Sequence, residues 1–291
     1  MATDPLLEPF ELKHLWLRNR VVSTSHEPAY AEDGLPKTRY QLYHEEKAKS
    51  GIALTMIGGS ANVAIDSPST FGQLYLGDDA VVPYLRELAD RVHGHGAAVM
   101  SQLTHMGRRA GWDQADWLPT VSSSTLREPA HRSFPKAVED FDIRRIVSGF
   151  GEAARRCKDG GLDGVEISAY AGHLIDQFLS PRMNQRSDRY GGSFDNRLRF
   201  ALEVLERVRG AVGDDFIVGV RMSAGEDADG GLTHDDAIGI GQRLAASGLI
   251  DFISLVAGAA TTDLELSRQI QPLGSPLGGY LSVVGAFREK V

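Results

Sequence analysis

Polar side chains with defined chemistry stand at the ends of short apolar runs in this sequence. Gln102 ends one such run, and its amide offers a paired donor and acceptor that suit the edge of an amide-like ring. Arg221 follows Val220 in another run, where a buried guanidinium needs a partner. That partner is either an acid in a structural ion pair or an anionic cofactor, and the residues alone leave both open.

Two glycines and a charged loop add to this set. Gly58 and Gly59 end a third apolar run, where they either let a flat group approach the backbone or form a simple turn. His105 and Arg108 either take part in function or anchor a loop. The most specific stretch, residues 177–200, combines a Gly-Gly turn with alternating arginines and acids, which predicts a rigid polar loop.

These residues must be positioned by apolar, β-branched runs that alternate with amphipathic stretches. The alternation predicts βαβ units and a parallel sheet, either open and doubly wound or closed as a barrel. The barrel is favoured because polar, glycine-containing loops nearly all follow strands, and because residues 10–17 form a hairpin suited to the barrel floor. The predicted strands are 19–24, 52–57, 98–103, 164–167, 216–222 and 252–256. The predicted helices are 40–49, 81–95, 143–158, 194–209, 234–246 and one beginning near Leu281.

The predicted fold class is therefore α/β, a (β/α)8 TIM barrel truncated after about six strand–helix units. An open parallel barrel has two unpaired edges, which favours a fragment over a complete domain. We expect residues 1–291 to form a single incomplete domain that lacks strands seven and eight. Helix starts are marked at Ser193, and at Thr233 with Asp236 three residues later.

Composition excludes few classes of protein. The formal net charge is -8 with no run rich in lysine and arginine, which argues against nucleic-acid binding. Cys157 is the one cysteine, so we expect no intrachain disulfide and no metal site. No apolar run approaches a membrane span and no signal peptide is evident, which makes the cytoplasm the expected location. The sequence leaves a homo-oligomer open.

The motifs resemble the old yellow enzyme family of NADH:flavin oxidoreductases. The resemblance is carried by the signature loop with Gly191-Gly192-Ser193 and Asn196-Arg197, and it covers essentially the whole chain. Further matches are Asn19-Arg20-Val21-Val22, Gln102-Leu103-Thr104-His105-Met106-Gly107-Arg108 and Gly219-Val220-Arg221.

The resemblance implies FMN at the carboxyl face of the barrel. Carried over by position, Gln102 would hold the pyrimidine edge of the flavin, and Arg221 would face N1 and the C2 oxygen. Thr24, Ser25 and Gly58 would contact the ring. The family's phosphate site follows strands seven and eight, so the chain alone is expected to hold FMN weakly or not at all.

The chain departs from the family pattern at the substrate side. Family members grip a substrate carbonyl with two hydrogen-bonding residues, and here Ser168 and Ala171 stand at those positions. Ala171 has no side-chain donor, which disfavours ordinary enone reduction. His173 stands where a tyrosine donates the proton, and either it acts as an acid or base near neutral pH or it is a loop histidine. Tyr170 is a further catalytic candidate.

Carboxylates and aromatic rings at the strand ends suggest an alkylated ammonium substrate. The candidates for substrate binding are Glu27, Tyr30, Ser168 and Glu226, with Asp227, Tyr170, Trp112 and Trp117 as further acids and aromatic rings. Glu27 also stands where the trimethylamine dehydrogenase branch carries a cysteine bonded to flavin, so FMN would be non-covalent.

Segments 25–34 and 127–132 resemble the N-methylproline demethylase-like members of the dienoyl-CoA reductase and trimethylamine dehydrogenase branch. The resemblance implies hydride removal from an N-methyl carbon, followed by release of formaldehyde. The alternatives are an NAD(P)H-dependent enoate or 2,4-dienoyl-CoA reductase and a non-catalytic fragment. Full-length relatives carry a 4Fe-4S motif and an FAD-binding half, and the chain contains neither.

Overall fold

The computed structural model of the protein describes residues 4–67, 72–109, 119–130, 132–258, 260 and 262–291. The described strands are β1 (Phe10–Leu12), β2 (Leu15–Leu17), β3 (Val22–Ser23), β4 (Leu54–Asn62), β5 (Ala98–Thr104), β6 (Val121–Ser122), β7 (Lys136–Ala137), β8 (Gly164–Ala169), β9 (Ile217–Ser223) and β10 (Phe252–Val256). The α-helices are α1 (Thr38–Lys49), α2 (Val82–His93), α3 (Asp140–Asp159), α4 (Leu174–Leu179), α5 (Phe194–Val212), α6 (His234–Ala246), α7 (Asp263–Gln269) and α8 (Leu281–Arg288). Two short 3₁₀ helices span Pro5–Leu7 and Asp79–Val81.

The main sheet has six parallel strands in the order β3-β4-β5-β8-β9-β10. This is also their order along the chain, with no reversal of the kind that defines a doubly wound sheet. The sheet is therefore the wall of a barrel, and the predicted six strand–helix units with an N-terminal hairpin are confirmed. Strands β3 and β10 are its edges within the described residues, so the barrel wall is open.

The inner face of the sheet is apolar at its floor. Alternate residues of a strand share a face, and the inward positions at the start of β4, β5 and β9 are filled by apolar side chains. The antiparallel hairpin of β1 and β2 packs against them and closes the floor, as the sequence predicted. This small core consists of Leu17, Ala53, Leu54, Met56, Ala98, Met100 and Ile217, with Leu12, Leu15 and Phe252 at its rim.

The outer face carries the main hydrophobic core. Helices α2, α3, α5 and α6 bury apolar stripes against the other set of strand residues, which includes Val165, Ile167, Val218 and Val220. The predicted caps are present: the Ser193 hydroxyl accepts from the backbone N–H of Asn196, and Thr233 and Asp236 form a capping box. The helices therefore fix the strands whose inward residues form the site.

Several element boundaries differ from the prediction. Strand β4 does not stop at Ile57 but continues to Asn62, with a shift in its pairing to β5 between Ile57 and Ala61. The shift accommodates Gly58 and Gly59, whose φ angles are 99° and 39°. Strand β3 is only two residues long, against six predicted. Helix α4 was missed because all six of its residues are buried, so it has no amphipathic period; the short helix α7 was missed as well.

No helix in the described part of the chain is both long enough and apolar enough to cross a membrane. Within the same residues, no group of three or more histidine, cysteine, aspartate or glutamate side chains is arranged to hold a metal ion.

Candidate functional site

Polar side chains replace apolar ones on the inner face near the carboxyl ends of the strands. Strand pairing sets Gln102 beside Glu166 in one row, and it sets Arg221 between Ser168 and Ser254 in the next. Arg221 thus points to the opposite face from Val218 and Val220, which lie in the main hydrophobic core. The inner face of the sheet is therefore polar near the carboxyl ends of its strands, which form the mouth of the barrel wall, and apolar at the floor.

Gln102 is oriented by a buried acid. Its amide nitrogen donates to Oε1 of Glu166 at 2.7 Å, and its amide oxygen lies 3.5 Å from the Tyr170 hydroxyl. Burial raises the pKa of Glu166, while the charge of Arg221 and the hydrogen bond from Gln102 lower it. Because the amide nitrogen is held by Glu166, the oxygen of Gln102 is the end presented toward Tyr170.

Arg221 has unused donors in a buried setting. Its Nε and Nη1 atoms are inaccessible to solvent and have no hydrogen-bond partner among the described residues. The guanidinium carbon lies 5.0 Å from the centroid of the Tyr170 ring. The structure therefore provides no hydrogen-bonded acid for Arg221, and of the two partners left open by the sequence it favours an exogenous acceptor. Unpaired buried donors are costly, so such an acceptor would stabilise the site.

His173 is buried behind Tyr170. Its Nδ1 lies 3.0 Å from the Thr104 hydroxyl and 2.9 Å from the Ser168 hydroxyl, and the two rings are 5.6 Å apart. Burial lowers the pKa of His173 to about 3, and the charges of Arg109 and His105 contribute to that lowering. A neutral imidazole near pH 7 disfavours the acid-or-base alternative that the sequence left open, and the catalytic role of His173 stays a prediction.

The β4 irregularity brings the glycine pair against other backbone. The Gly58 N–H donates to the hydroxyl of buried Tyr40 at 2.9 Å. A Cβ on Gly58 would come within 2.8 Å of the Gln102 carbonyl oxygen, and one on Gly59 within 2.3 Å of the Glu27 backbone nitrogen. The close approach that these glycines permit is thus made by the protein's own chain. The contact predicted between Gly58 and the flavin stays a prediction.

The backbone of Glu27 packs against Gly59 of that pair. Its Oε1 accepts from the Ala29 N–H at 2.8 Å, and its Oε2 is buried without a hydrogen-bond partner among the described residues. Burial raises the pKa of Glu27 to about 8, against a smaller lowering by the Ala29 hydrogen bond. Nearby, Thr24 is exposed, and the Ser25 hydroxyl is buried without a hydrogen-bond partner among the described residues.

Two predicted substrate-binding residues have other contacts. The Arg39 guanidinium lies 3.8 Å from the Tyr30 ring centroid, so one face of that ring already meets a cation. Glu226 is fully buried and forms an ion pair with Arg182 at 3.4 Å. Burial and the charge of Glu226 raise the pKa of Asp176 to about 8. Glu226 therefore belongs to a cluster of buried charged groups with Arg182 and Asp176. Among the described residues, no contact connects Glu226 to Tyr30.

His105 and Arg108 have the contacts of loop anchors. His105 bonds to Asp66 at 3.2 Å and accepts from the Gly107 N–H, and Arg108 donates to the Leu126 carbonyl at 3.0 Å. Trp112 and Trp117 lie outside the described residues. The sequence analysis did not single out Glu166, Thr104 or Arg109, although the alternation of inward residues marks the first two.

The residues of the site fit a flavin. Arg221 presents two buried donors that have no acceptor among the described residues, and Gln102 presents an acceptor. This set matches the flavin edge on which N1 and the C2 oxygen accept hydrogen bonds and the neighbouring N3–H donates one. Arg221 and Gln102 would hold that edge, and the cation would stabilise negative charge there.

Family comparison agrees with the geometry. Residues 5–271 match the NADH:flavin oxidoreductase / NADH oxidase family, to which the chain belongs.

The chain is 51% identical over 288 residues to a probable N-methylproline demethylase of Rhizobium meliloti, covering 99% of the chain and 42% of that protein. It is 49% identical to the multifunctional alkene reductase/demethylase OYE of Caballeronia cordobensis, covering 100% of the chain and 42% of that protein. It is 46% identical to the N,N-dimethylglycine/sarcosine dehydrogenase of Chromohalobacter salexigens, covering 100% of the chain and 42% of that protein. The chain thus spans about two fifths of the length of these relatives.

A solved morphinone reductase in complex with tetrahydroNAD shares the fold, with a TM-score of 0.81 and 25% identity over 99% of this chain and 78% of the other.

Proposed function

We propose that the protein is an FMN-dependent oxidoreductase that transfers hydride between a substrate carbon and flavin N5. The observation that carries this proposal is the pair of buried Arg221 donors, which find no acceptor in the described part of the chain, beside the oriented amide of Gln102. FMN would be bound non-covalently, because Glu27 stands where a covalent link would need cysteine. Membership of the NADH:flavin oxidoreductase family and the activities for which the relatives are named support the assignment.

The proposed reaction is oxidative N-demethylation of an N-methylated amino acid or amine. FMN, when bound, would supply the two-electron oxidant. The substrate would lose a hydride from its N-methyl carbon, and water would then split the resulting iminium ion into a secondary amine and formaldehyde. Two relatives named for N-methylproline and for N,N-dimethylglycine and sarcosine support this substrate class. Ala171 supports it as well, because a carbonyl substrate would find no side-chain donor there.

The chain's own groups would manage the proton and the charge. A tertiary amine reacts only unprotonated, so an acceptor is needed for the ammonium proton. Glu27 has a buried oxygen without a partner and a pKa raised to about 8 by burial, which suits it to take that proton. His173, with its pKa lowered to about 3 by burial, would act as a neutral hydrogen-bonding group held by Thr104 and Ser168.

Reduction of an activated alkene by NAD(P)H is the second candidate, since one relative's name joins alkene reductase to demethylase. Anaerobic bleaching of the flavin separates the two. We expect N-methylproline to bleach it, with formaldehyde released on turnover. Bleaching by NAD(P)H alone, followed by reoxidation with an enone, would instead identify the reductase. The non-catalytic fragment is tested by extending the reading frame, since cysteine clusters and a Gly-rich phosphate loop downstream of Val291 would exclude it.

A further inference from the structure

Arg109 is a second arginine at the barrel mouth with an unused donor. Its side chain is 15% exposed, and its Nη1 atom donates to Oε1 of Glu128 at 3.3 Å and to the carbonyl of Ala260. Its Nε is buried and has no hydrogen-bond partner among the described residues. In a guanidinium, Nε–H and one Nη2–H lie on the same edge and match the two oxygens of a carboxylate. Nη1 is thus fixed, while the side-on edge is left for a ligand.

The position of Arg109 puts that edge at the site. The residue follows β5, yet its guanidinium reaches Ala260, which follows β10. All strands of the sheet are parallel, so the loops after β5 and β10 both lie on its carboxyl side, and the Arg109 guanidinium joins them there. The charge of Arg109 also acts on His173. The guanidinium therefore lies on the carboxyl side of the sheet, within electrostatic range of His173.

The acids around Arg109 in the described part of the chain do not provide an acceptor for its Nε–Nη2 edge. Burial is the largest influence on Arg109 and lowers its pKa, while Glu128, Glu265 and Asp176 act in the other direction. Asp176 has its own pKa raised to about 8, so near neutral pH it is largely protonated and supplies little negative charge. A buried guanidinium edge without an acceptor is destabilising, and a ligand carboxylate would relieve that cost.

We infer that the Nε–Nη2 edge of Arg109 binds the carboxylate of the substrate. This inference rests on the proposed amine oxidation and narrows its substrate class to N-methylated α-amino acids, which carry a carboxylate next to the ammonium group. Simple alkylamines lack the group that Arg109 recognises. The residue is thus a specificity determinant, distinct from Arg221, whose free donors serve the flavin.

The test compares N-methylproline with N-methylpyrrolidine, which has the same ring without the carboxylate, on the FMN-loaded protein. Arg109→Gln should lower kcat/KM for N-methylproline about 100-fold, mainly through KM, because a charge-assisted bidentate contact is lost. It should change kcat/KM for N-methylpyrrolidine less than about twofold. Arg109→Lys keeps the charge beside Glu128 but cannot make a bidentate contact, so the loss in kcat/KM for N-methylproline should be intermediate. Equal losses for both amines would overturn the inference.

Arg268→Gln is the matched control for charge. Arg268 pairs with Asp227 at 2.7 Å near the same mouth, and both side chains are 41% exposed, so its removal should leave both substrates and the fold unchanged. A loss in this variant equal to that in Arg109→Gln would show a general charge effect and reject the subsite.

A binding measurement keeps the inference separate from the proposed reaction. Calorimetric titration should show that pyrrole-2-carboxylate binds the wild-type protein at least tenfold tighter than pyrrole-2-carboxamide, and that Arg109→Gln removes this preference. If neither amine is oxidised, the proposed function fails, and the titration still decides whether Arg109 binds carboxylates. Equal affinity for acid and amide would overturn the inference whatever the turnover.

Discussion

The guanidinium carbon of Arg221 lies 5.0 Å from the centroid of the Tyr170 ring. The hydroxyl of the same tyrosine is 3.5 Å from the amide oxygen of Gln102, so Tyr170 contacts both residues proposed to hold the flavin edge. A cation over an aromatic face is attracted by the ring quadrupole without using its hydrogen-bond donors. Tyr170 can therefore restrain Arg221 while its Nε and Nη1 remain available.

Arg221→Gln is expected to weaken FMN binding and to slow flavin reduction by about 100-fold, since removal of one preorganised donor costs 10²–10³-fold. Fluorescence titration with FMN and anaerobic stopped-flow absorbance measure the two effects. Arg243→Gln is the control, because Arg243 is 51% exposed and pairs with exposed Asp195. Flavin affinity and reduction rate that both stay at wild-type values would contradict the assignment of Arg221.

Ala171→Asn should increase enone reduction about tenfold or more. Ala171 has a φ of 58°, a left-handed conformation that asparagine adopts more readily than most residues. Asparagine would also supply the missing donor for a substrate carbonyl. The measurement is the rate of reoxidation of the reduced protein by 2-cyclohexenone. Ala171→Gly separates the causes, because it relieves the backbone without adding a donor; an equal gain in that variant would rule out the hydrogen bond.

Much of the fold followed from alternation along the chain. The predicted bounds of β10 and α6 agree with the structure. Both segments are flanked by residue types that favour the end of a strand or a helix. The hairpin at the floor was predicted from its apolar pattern. The extension of strand β4 beyond Ile57 was not predicted, because its pairing shift depends on Gly58 and Gly59 meeting backbone from other segments.

Some residues of the candidate site were also singled out from the sequence, but their contacts were not. The sequence pointed to Gln102 and Arg221 from their places near strand ends and to His173 from the family resemblance, but it could not supply their partners. Gln102 meets Glu166 across 64 residues, and Arg109 reaches Ala260 across 151. Such contacts depend on strand order and barrel curvature. Burial, which decides the protonation of His173, is likewise a property of the assembled fold.

The His173 imidazole should not titrate between pH 5 and 8 in NMR spectra of the folded protein. Burial lowers its pKa to about 3, whereas the hydrogen bond with Asp163 raises the pKa of His93, which serves as the internal comparison. An unfolded histidine binds a proton near pH 6.5, so this group's contribution to stability is lost as pH falls below that value toward 3. His173→Gln should flatten that acid limb in melting temperatures. A midpoint for His173 near 6.5 would contradict its burial as a neutral ring.

Glu27 should give pH effects of opposite sign on stability and on turnover. Burial raises its pKa from 4.5 to about 8, so unfolding releases a proton between those values. Stability from this group is fully present below pH 4.5, falls as pH rises, and is lost above about 8. Turnover of an N-methylated amine should instead rise through pH 8, because only the ionised carboxylate can accept the ammonium proton.

Glu27→Gln tests both effects with one variant. It should flatten the decline of melting temperature between pH 5 and 8 and remove the rise in kcat/KM through pH 8, because glutamine neither ionises nor accepts a proton. Glu32→Gln, at an exposed position five residues along the same segment, should leave both profiles as in the wild type. If Glu27→Gln flattens the stability profile alone, the carboxyl is buried as described but takes no part in proton removal. If it changes neither profile, Glu27 is ionised and solvated in the folded protein, and both assignments fail.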